Sequence, residues 1–398
     1  MSIAPQHRLY ACFFLFALTT GALMARLPDI QAHLQVDKGQ LGLTMIGMSI
    51  GSLISLTFGA SVIEKLGVRT TAFFTVLGPA LLFSTIPWLG AAPAVFGVLF
   101  LTGLLSGALE INLNVEIDRL EMHTGGRFMN RAHGFWSVGF FVTALMGAGI
   151  RQSGLSVNAH LGLMAAIVVL VGGFMIWGIK PAPKPKRMES EGTHRIAFPN
   201  WGLLPLCIIG FAAFLVEGAG IDWSAIYMDE IFATEPFVSG MGLTLFAFFM
   251  AAMRLGADPV VARFGPRHVS MFLLSLASVG VLMVGYAPER MPAVALAGFA
   301  LMGIGCSAVY PLAVSAAAQR TDRPAAVNVA ALGQVSFVVF FMAPPLLGFV
   351  AEHLGIRNSY LICLPLLLAG LWASSFALGT RKVEAPHGLP PEPVPPHG

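Results

Sequence analysis

Charge is scarce in this chain: 11% of its 398 residues are Asp, Glu, Lys or Arg, where soluble proteins hold about 25%. That scarcity excludes a soluble domain. Cysteine is nearly as rare, and Cys12, Cys207, Cys306 and Cys363 each stand alone inside an apolar run. Without a CxxC pair or ligand spacing, neither a zinc site nor a redox dithiol is expected, and no cofactor is implied. The chain also lacks HExxH. His133 and Ser137 are one helical turn apart, but no third group completes a nucleophile triad, so an enzyme is the least supported class. A net charge of +3 provides no basic groove, so no nucleic-acid partner is expected.

Apolar residues make up 56% of the chain, with 44 Gly, 30 Phe and 19 Met. They come in runs long enough to cross a bilayer, and at ~33 residues per span and loop the chain holds about twelve. Spans are expected near 8–33, 38–63, 70–90, 94–119, 131–152, 158–179, 202–229, 237–261, 268–287, 292–318, 327–352 and 358–379. All must be helices, because lipid offers backbone groups no partner and no run alternates as a barrel strand would. The first run follows His7 and Arg8 as a secretory signal would, yet eleven further runs make it an ordinary first helix. With the N-terminus inside, seventeen of the 23 Lys and Arg fall in cytoplasmic segments, Arg127, Lys184, Lys186, Arg187, Arg195, Arg381 and Lys382 among them. Both termini are therefore expected in the cytoplasm. The expected organisation is a six-helix bundle over 1–180, a Pro- and Lys-rich cytoplasmic linker over 181–200, a second six-helix bundle over 201–382 and a disordered tail over 383–398.

The two halves repeat. At an offset of 198 residues, Gly42, Lys65, Gly67 and Arg69 match Gly240, Arg263, Gly265 and Arg267. A tight inner turn needs Gly, and cations suit helix C-termini at the inner surface.

Ionisable groups within spans are costly and are candidates by default. In the fourth span, Glu110 and Asn114 share a stripe with Gly103 and Ser106, while Asn112 and Glu116 lie nearly opposite. Glu110, near mid-span, is either the proton-binding carboxylate or a permanently paired structural acid. Glu116 lies level with His133 of the fifth span, and the two are expected to form a supporting pair. In the seventh span Glu217 is a second proton-coupling candidate and shares a face with Ser224. Asp222 either meets Arg26 of the first span as a gate across the halves or pairs locally, and Trp223 either stacks on a solute or joins an interfacial belt. Arg254 and Asp258 are spaced as an i,i+4 structural pair. Tyr310, beside Pro311, either bonds a solute or packs, and Gln334 and Asn328 are weaker candidates for solute contact.

The loop Glu64-Lys65-Leu66-Gly67-Val68-Arg69 resembles that of the major facilitator superfamily between helices two and three, with Glu in place of the usual Asp. The second copy has Ala262 where the acid would stand. The resemblance covers almost the whole chain. It implies an all-α membrane protein of twelve transmembrane helices in two pseudo-symmetric bundles that rock about a midplane site. It also implies that Glu64, Lys65, Arg69, Arg263 and Arg267 are conformational latches. GALEINLN resembles the fourth helix of the fucose-permease-like group, whose Glu and following Asn match Glu110 and Asn114 and are assigned to proton coupling and sugar recognition. ARLPDI, NRAHGFWSVG, EGAGIDWSAIY and GIGCSAVYPLAVSAA look closer still to a bacterial branch that includes a rhizopine permease. Arg26, His133, Glu217, Asp222, Trp223 and Pro311 carry that likeness. One departure matters: aligned on the Leu27-Pro28 pair, the group's upstream acid falls at Met24, which leaves Glu217 or Arg26 to compensate.

The expectation is a proton-coupled symporter of a small sugar-like or polyol solute in the bacterial inner membrane, acting as a monomer with the proton gradient as its energy source. Asn114, Trp223, Ser224, Tyr310 and Gln334 would contact the solute. The alternatives are proton-driven efflux of amphipathic compounds and a membrane sensor that binds a solute without moving it.

Overall fold

A computed structural model describes residues 3–126, 128–183 and 198–379. Arg127, most of the expected linker with Lys184, Lys186, Arg187 and Arg195, and the tail with Arg381 and Lys382 lie outside the described residues. Among those described, twelve helices are long and apolar enough to cross a membrane: α1 Pro5–Met24, α2 Lys38–Phe58, α3 Val68–Trp88, α4 Ala92–Thr124, α5 Arg131–Gln152, α6 Val157–Trp177, α7 Leu204–Phe232, α8 Pro236–Phe264, α9 Pro266–Tyr286, α10 Pro292–Ala318, α11 Val327–His353 and α12 Ile356–Ala377. Leu170, Phe174, Trp177, Phe272 and Trp372 stand exposed on the outside of the bundle, where only lipid would favour them. The fold is that of a polytopic helical membrane protein.

Prolines set two breaks. The expected first span ran to residue 33, but the helix stops at Met24 and a separate short helix occupies Leu27–Leu34. Pro28 lacks the N–H that would bond the Met24 carbonyl, and Arg26 is left at the joint. In α10 the helix is interrupted at Ala308, between segments Pro292–Ser307 and Val309–Ala318. There Pro311 frees the carbonyl of Ser307 in the same way.

The repeat is written into the backbone. Gly67 has φ 76° and ψ 160°, and Gly265 has φ 81° and ψ 153°, a region that a side chain would find strained. Gly42 and Gly240 mark matching crossings between the halves. A Cβ at Gly42 would stand 2.5 Å from the Pro344 carbonyl of α11, and one at Gly240 would stand 2.5 Å from the Ala148 Cβ of α5. Within the N-terminal half, α1 packs on α5 and α6, α2 on α4, and α3 on α4 and α6; within the C-terminal half, α7 packs on α8, α10, α11 and α12. The halves then meet through α2 on α11 and α5 on α8. The end of the bundle nearest the chain termini is called the terminal end below, and the opposite one the far end.

Candidate functional site

In the N-terminal half the stripe on α4 is realised: Asn114 Nδ2 donates to Glu110 Oε2 at 3.0 Å. Asn114 Oδ1 is buried with no hydrogen-bond partner among the described residues, an arrangement that leaves an acceptor able to take a hydroxyl or amine. The opposite face of α4 is structural. Asn112 Nδ2 donates to the Val68 carbonyl at 3.0 Å, pinning the start of α3. The expected Glu116–His133 pair is not formed. Glu116 instead accepts from the Ala182 backbone N–H at 2.6 Å and stands 3.8 Å from Arg119, because the chain leaving α6 folds back over it. His133 packs its ring 5.2 Å from that of Phe13.

The C-terminal half treats its carboxylate differently. Glu217, 8% exposed, accepts from Arg254 Nη2 of α8 at 3.2 and 3.1 Å through its two oxygens. The same guanidinium donates from Nε to the Ser307 carbonyl at 3.1 Å, the carbonyl that Pro311 released. One cation thus ties α7, α8 and the break in α10 together. This corrects the expected Arg254–Asp258 pair: Asp258 is exposed, and Arg254 turns inward to the buried acid. A mid-span Arg beside a Pro-interrupted span was the signal for this role, since both leave polar groups that seek each other in lipid.

Tyr310, half-buried, lies 4.5 Å from the Phe214 ring at 40°, with Gly333 of α11 beside its hydroxyl. Gln334 follows on α11, half-buried. Trp223 and Ser224 are fully enclosed instead. The Trp223 ring fills the space over Gly348 of α11, and Ser224 lies against Gly242 of α8, so both serve helix packing rather than an open face. Asn328 donates to Asp322 at 3.2 Å, in a cluster with Arg320 and Asn200 that holds the α10–α11 loop to the start of α7. Hydrogen bonds from Arg320, then Asn200, hold the Asp322 carboxyl below the usual carboxylate range.

At the far end charges lock the halves, but with other partners than the expected Arg26–Asp222 gate. Arg26, 3% exposed, stays in its own half: it donates to His160 Nδ1 at 3.0 Å, Asp29 Oδ2 at 3.0 Å and the Leu155 carbonyl at 2.6 Å. Asp29 passes the chain on to Arg151 at 3.1 Å, and Arg151 crosses to Asp229 of α7 at 2.6 Å. Gln152 with Glu235 at 3.2 Å and Lys38 with Glu230 at 3.0 Å add to the seam. Sequence reasoning missed Arg151 because it ends a span, where a cation is unremarkable. At the terminal end, Arg69 lies 4.5 Å over the Trp177 ring, inside its own half, and Arg263 lies over the neighbouring Phe264. Glu64 and Lys65 lie in the short helix Ala60–Leu66, and Arg267 lies in the first turn of α9, so the expected loop is helical on both sides of Gly67 and Gly265. Among the described residues, no cluster of His, Cys, Asp and Glu could hold a metal ion.

Twelve helices in two repeated halves, joined at α2–α11 and α5–α8, describe a transporter fold, and the known proteins agree. The family profile described as Major Facilitator Superfamily matches residues 205–396. By this match over its C-terminal half the chain resembles the major facilitator superfamily. It is 29% identical to the "Uncharacterized transporter y4wD" of Sinorhizobium fredii, over 94% of this chain and 97% of that protein. It is 27% identical to "Membrane protein MosC" of Rhizobium meliloti, over 92% and 88%. Among solved structures, a mutant of the nucleoside transporter NupG superposes with a TM-score of 0.75 at 13% identity, covering 94% of this chain and all of that one. The transporter FucP in its outward conformation gives 0.62 at 18%, covering 95% and 99%. These superpositions establish the shared fold. Superfamily relatives and fold alike are those of transporters and not of enzymes.

Proposed function

We propose that this chain imports a small polar, polyhydroxylated solute together with a proton, by alternating access about a site between the halves. The observation that carries this reading is the Glu110–Asn114 pair: among the described residues the carboxyl is held by an amide alone, with the amide oxygen left unpaired beside it. Such a carboxyl can gain and lose a proton without breaking an ion pair, while the free acceptor waits for a hydroxyl. Tyr310, Phe214 and Gln334 supply the facing wall, an aromatic surface with a few polar groups of the kind that suits a sugar ring. The Lys and Arg distribution makes the terminal end cytoplasmic and the far end external. The charge seam of Arg151 and Asp229 then lies at the external end.

Two solved neighbours support the class, being named as a fucose:proton symporter of E. coli and a D-xylose-proton symporter. The test is a thermal-shift screen of purified protein against sugars, inositols, amino-polyols and organic acids, followed by uptake of each hit into proteoliposomes. Ligand binding to the folded state raises its melting temperature. Stabilisation by a polyhydroxylated solute, with uptake driven by an inward proton gradient, is expected. Stabilisation confined to hydrophobic drugs would contradict the solute class.

A further inference from the structure

Glu217 is neutralised by Arg254 and Glu110 is held by Asn114, but the next carboxylate along α7, Asp222, has neither a cation nor a hydrogen-bond donor among the described residues. It is half-buried on α7, over the bare backbone of Gly218 and beside Ala343 of α11. The following titratable groups on α7 and on the elements around it have other partners. Tyr360 of α12 donates to the Ala219 carbonyl, Tyr227 to that of Val284, and Arg357 to that of Ala287. Arg254 of α8 holds Glu217, Asp29 of the short helix is held by Arg26 and Arg151, and Glu352 of α11 accepts from the Lys38 backbone.

Asp222 lies seven residues before Asp229, two turns along the same face of α7 and about 10 Å deeper in the bundle. That face carries the Arg151–Asp229 link across the halves. When the link parts, Asp222 becomes the next carboxylate inward of Asp229 on that face. When it closes, an ionised Asp222 would be left in the bundle with neither a cation nor a donor, which disfavours the charged form.

We propose that Asp222 is a second proton-loading residue: it takes a proton from the far-end water in the open state, and the far end closes only once that proton is in place. The inference rests on the proton-coupled reading above and adds to Glu110 a residue that couples the proton to the gate. It explains why Asp222 needs no ion-pair partner, because the proton itself removes the charge.

The test uses the full chain with Gln152→Cys and Glu235→Cys, side chains in contact across the closed far end, oxidises it with copper phenanthroline in membrane vesicles, and reads disulfide yield against pH relative to that of the denatured chain at the same pH, which removes the thiol's own pH dependence. The parent should cross-link about tenfold more at about pH 5.5 than at about pH 8, and D222N should vary by less than about twofold, remaining high throughout. A D222N protein with the parent's pH dependence would overturn the proposal. Because D222N can fail to fold, a second measurement uses the native side chain: an apolar carbodiimide, which attacks protonated carboxyls, should modify Asp222 at low pH while sparing Glu217, as read by peptide mass. Absence of the Asp222 adduct would equally overturn it. Both readouts of Asp222 need no solute, so their failure is distinct from failure of the coupling role of Glu110, which uptake tests.

Discussion

Each half of the molecule places a carboxylate within a membrane-spanning helix, Glu110 on α4 and Glu217 on α7, and the two are surrounded in opposite ways. Glu110 has a single neutral donor 3.0 Å away. Glu217 has a guanidinium that bonds both of its oxygens and is itself anchored to a broken helix. A carboxyl bound by an amide can change its proton count at small structural cost. One bound by Arg254 can change only by losing its partner, and so acts as a fastener between α7, α8 and α10. On the proposed reading, similar residues in repeated halves divide the work of proton exchange and of holding helices in register.

Removing the fastener should have the largest effect. Arg254→Gln leaves a buried acid uncompensated and should cost about 3–5 kcal/mol of stability, seen as a lower melting temperature in detergent and loss of uptake. Glu217→Gln combined with Arg254→Gln should recover most of that stability. If the single variant melts like the parent, the contrast between the two carboxylates fails. Next comes the far-end seam. Arg151→Gln breaks the bonds to Asp29 and Asp229, each charge-assisted and worth about 1.5–3 kcal/mol. Labelling of a cysteine at Gln152 by a membrane-impermeant thiol reagent should rise in that variant, and an unchanged rate would mean the seam is not a lock. The smallest effect belongs to the facing wall: Tyr310→Phe removes one hydroxyl and should raise KM by about two- to tenfold, with the maximal rate little changed.

Much of the fold was legible because lipid leaves few choices: apolar runs gave the helices, and the matched Gly67 and Gly265 gave the repeat that the backbone angles bear out. The ends of spans were less legible where proline intervened. Pro28 and Pro311 free carbonyls at positions a hydropathy pattern does not register. Within the site, the 100° spacing placed Glu110 with Asn114 correctly, since both lie on one helix. Partners on different helices were beyond such reasoning. Arg26 found His160 rather than Asp222, Glu116 found the Ala182 backbone rather than His133, and Arg254 found Glu217 rather than Asp258, because packing and not sequence spacing decides which faces meet.

The central claim is that solute and proton move together through Glu110. The direct measurement is proton movement itself: a solute identified by the thermal-shift screen is added to proteoliposomes in weakly buffered medium, and the external pH is followed. Native protein should make the medium more alkaline as solute enters, and Glu110→Gln should exchange labelled solute with no pH change. Equal alkalinisation by the Glu110→Gln protein, or solute entry without proton movement in the native one, would contradict the account.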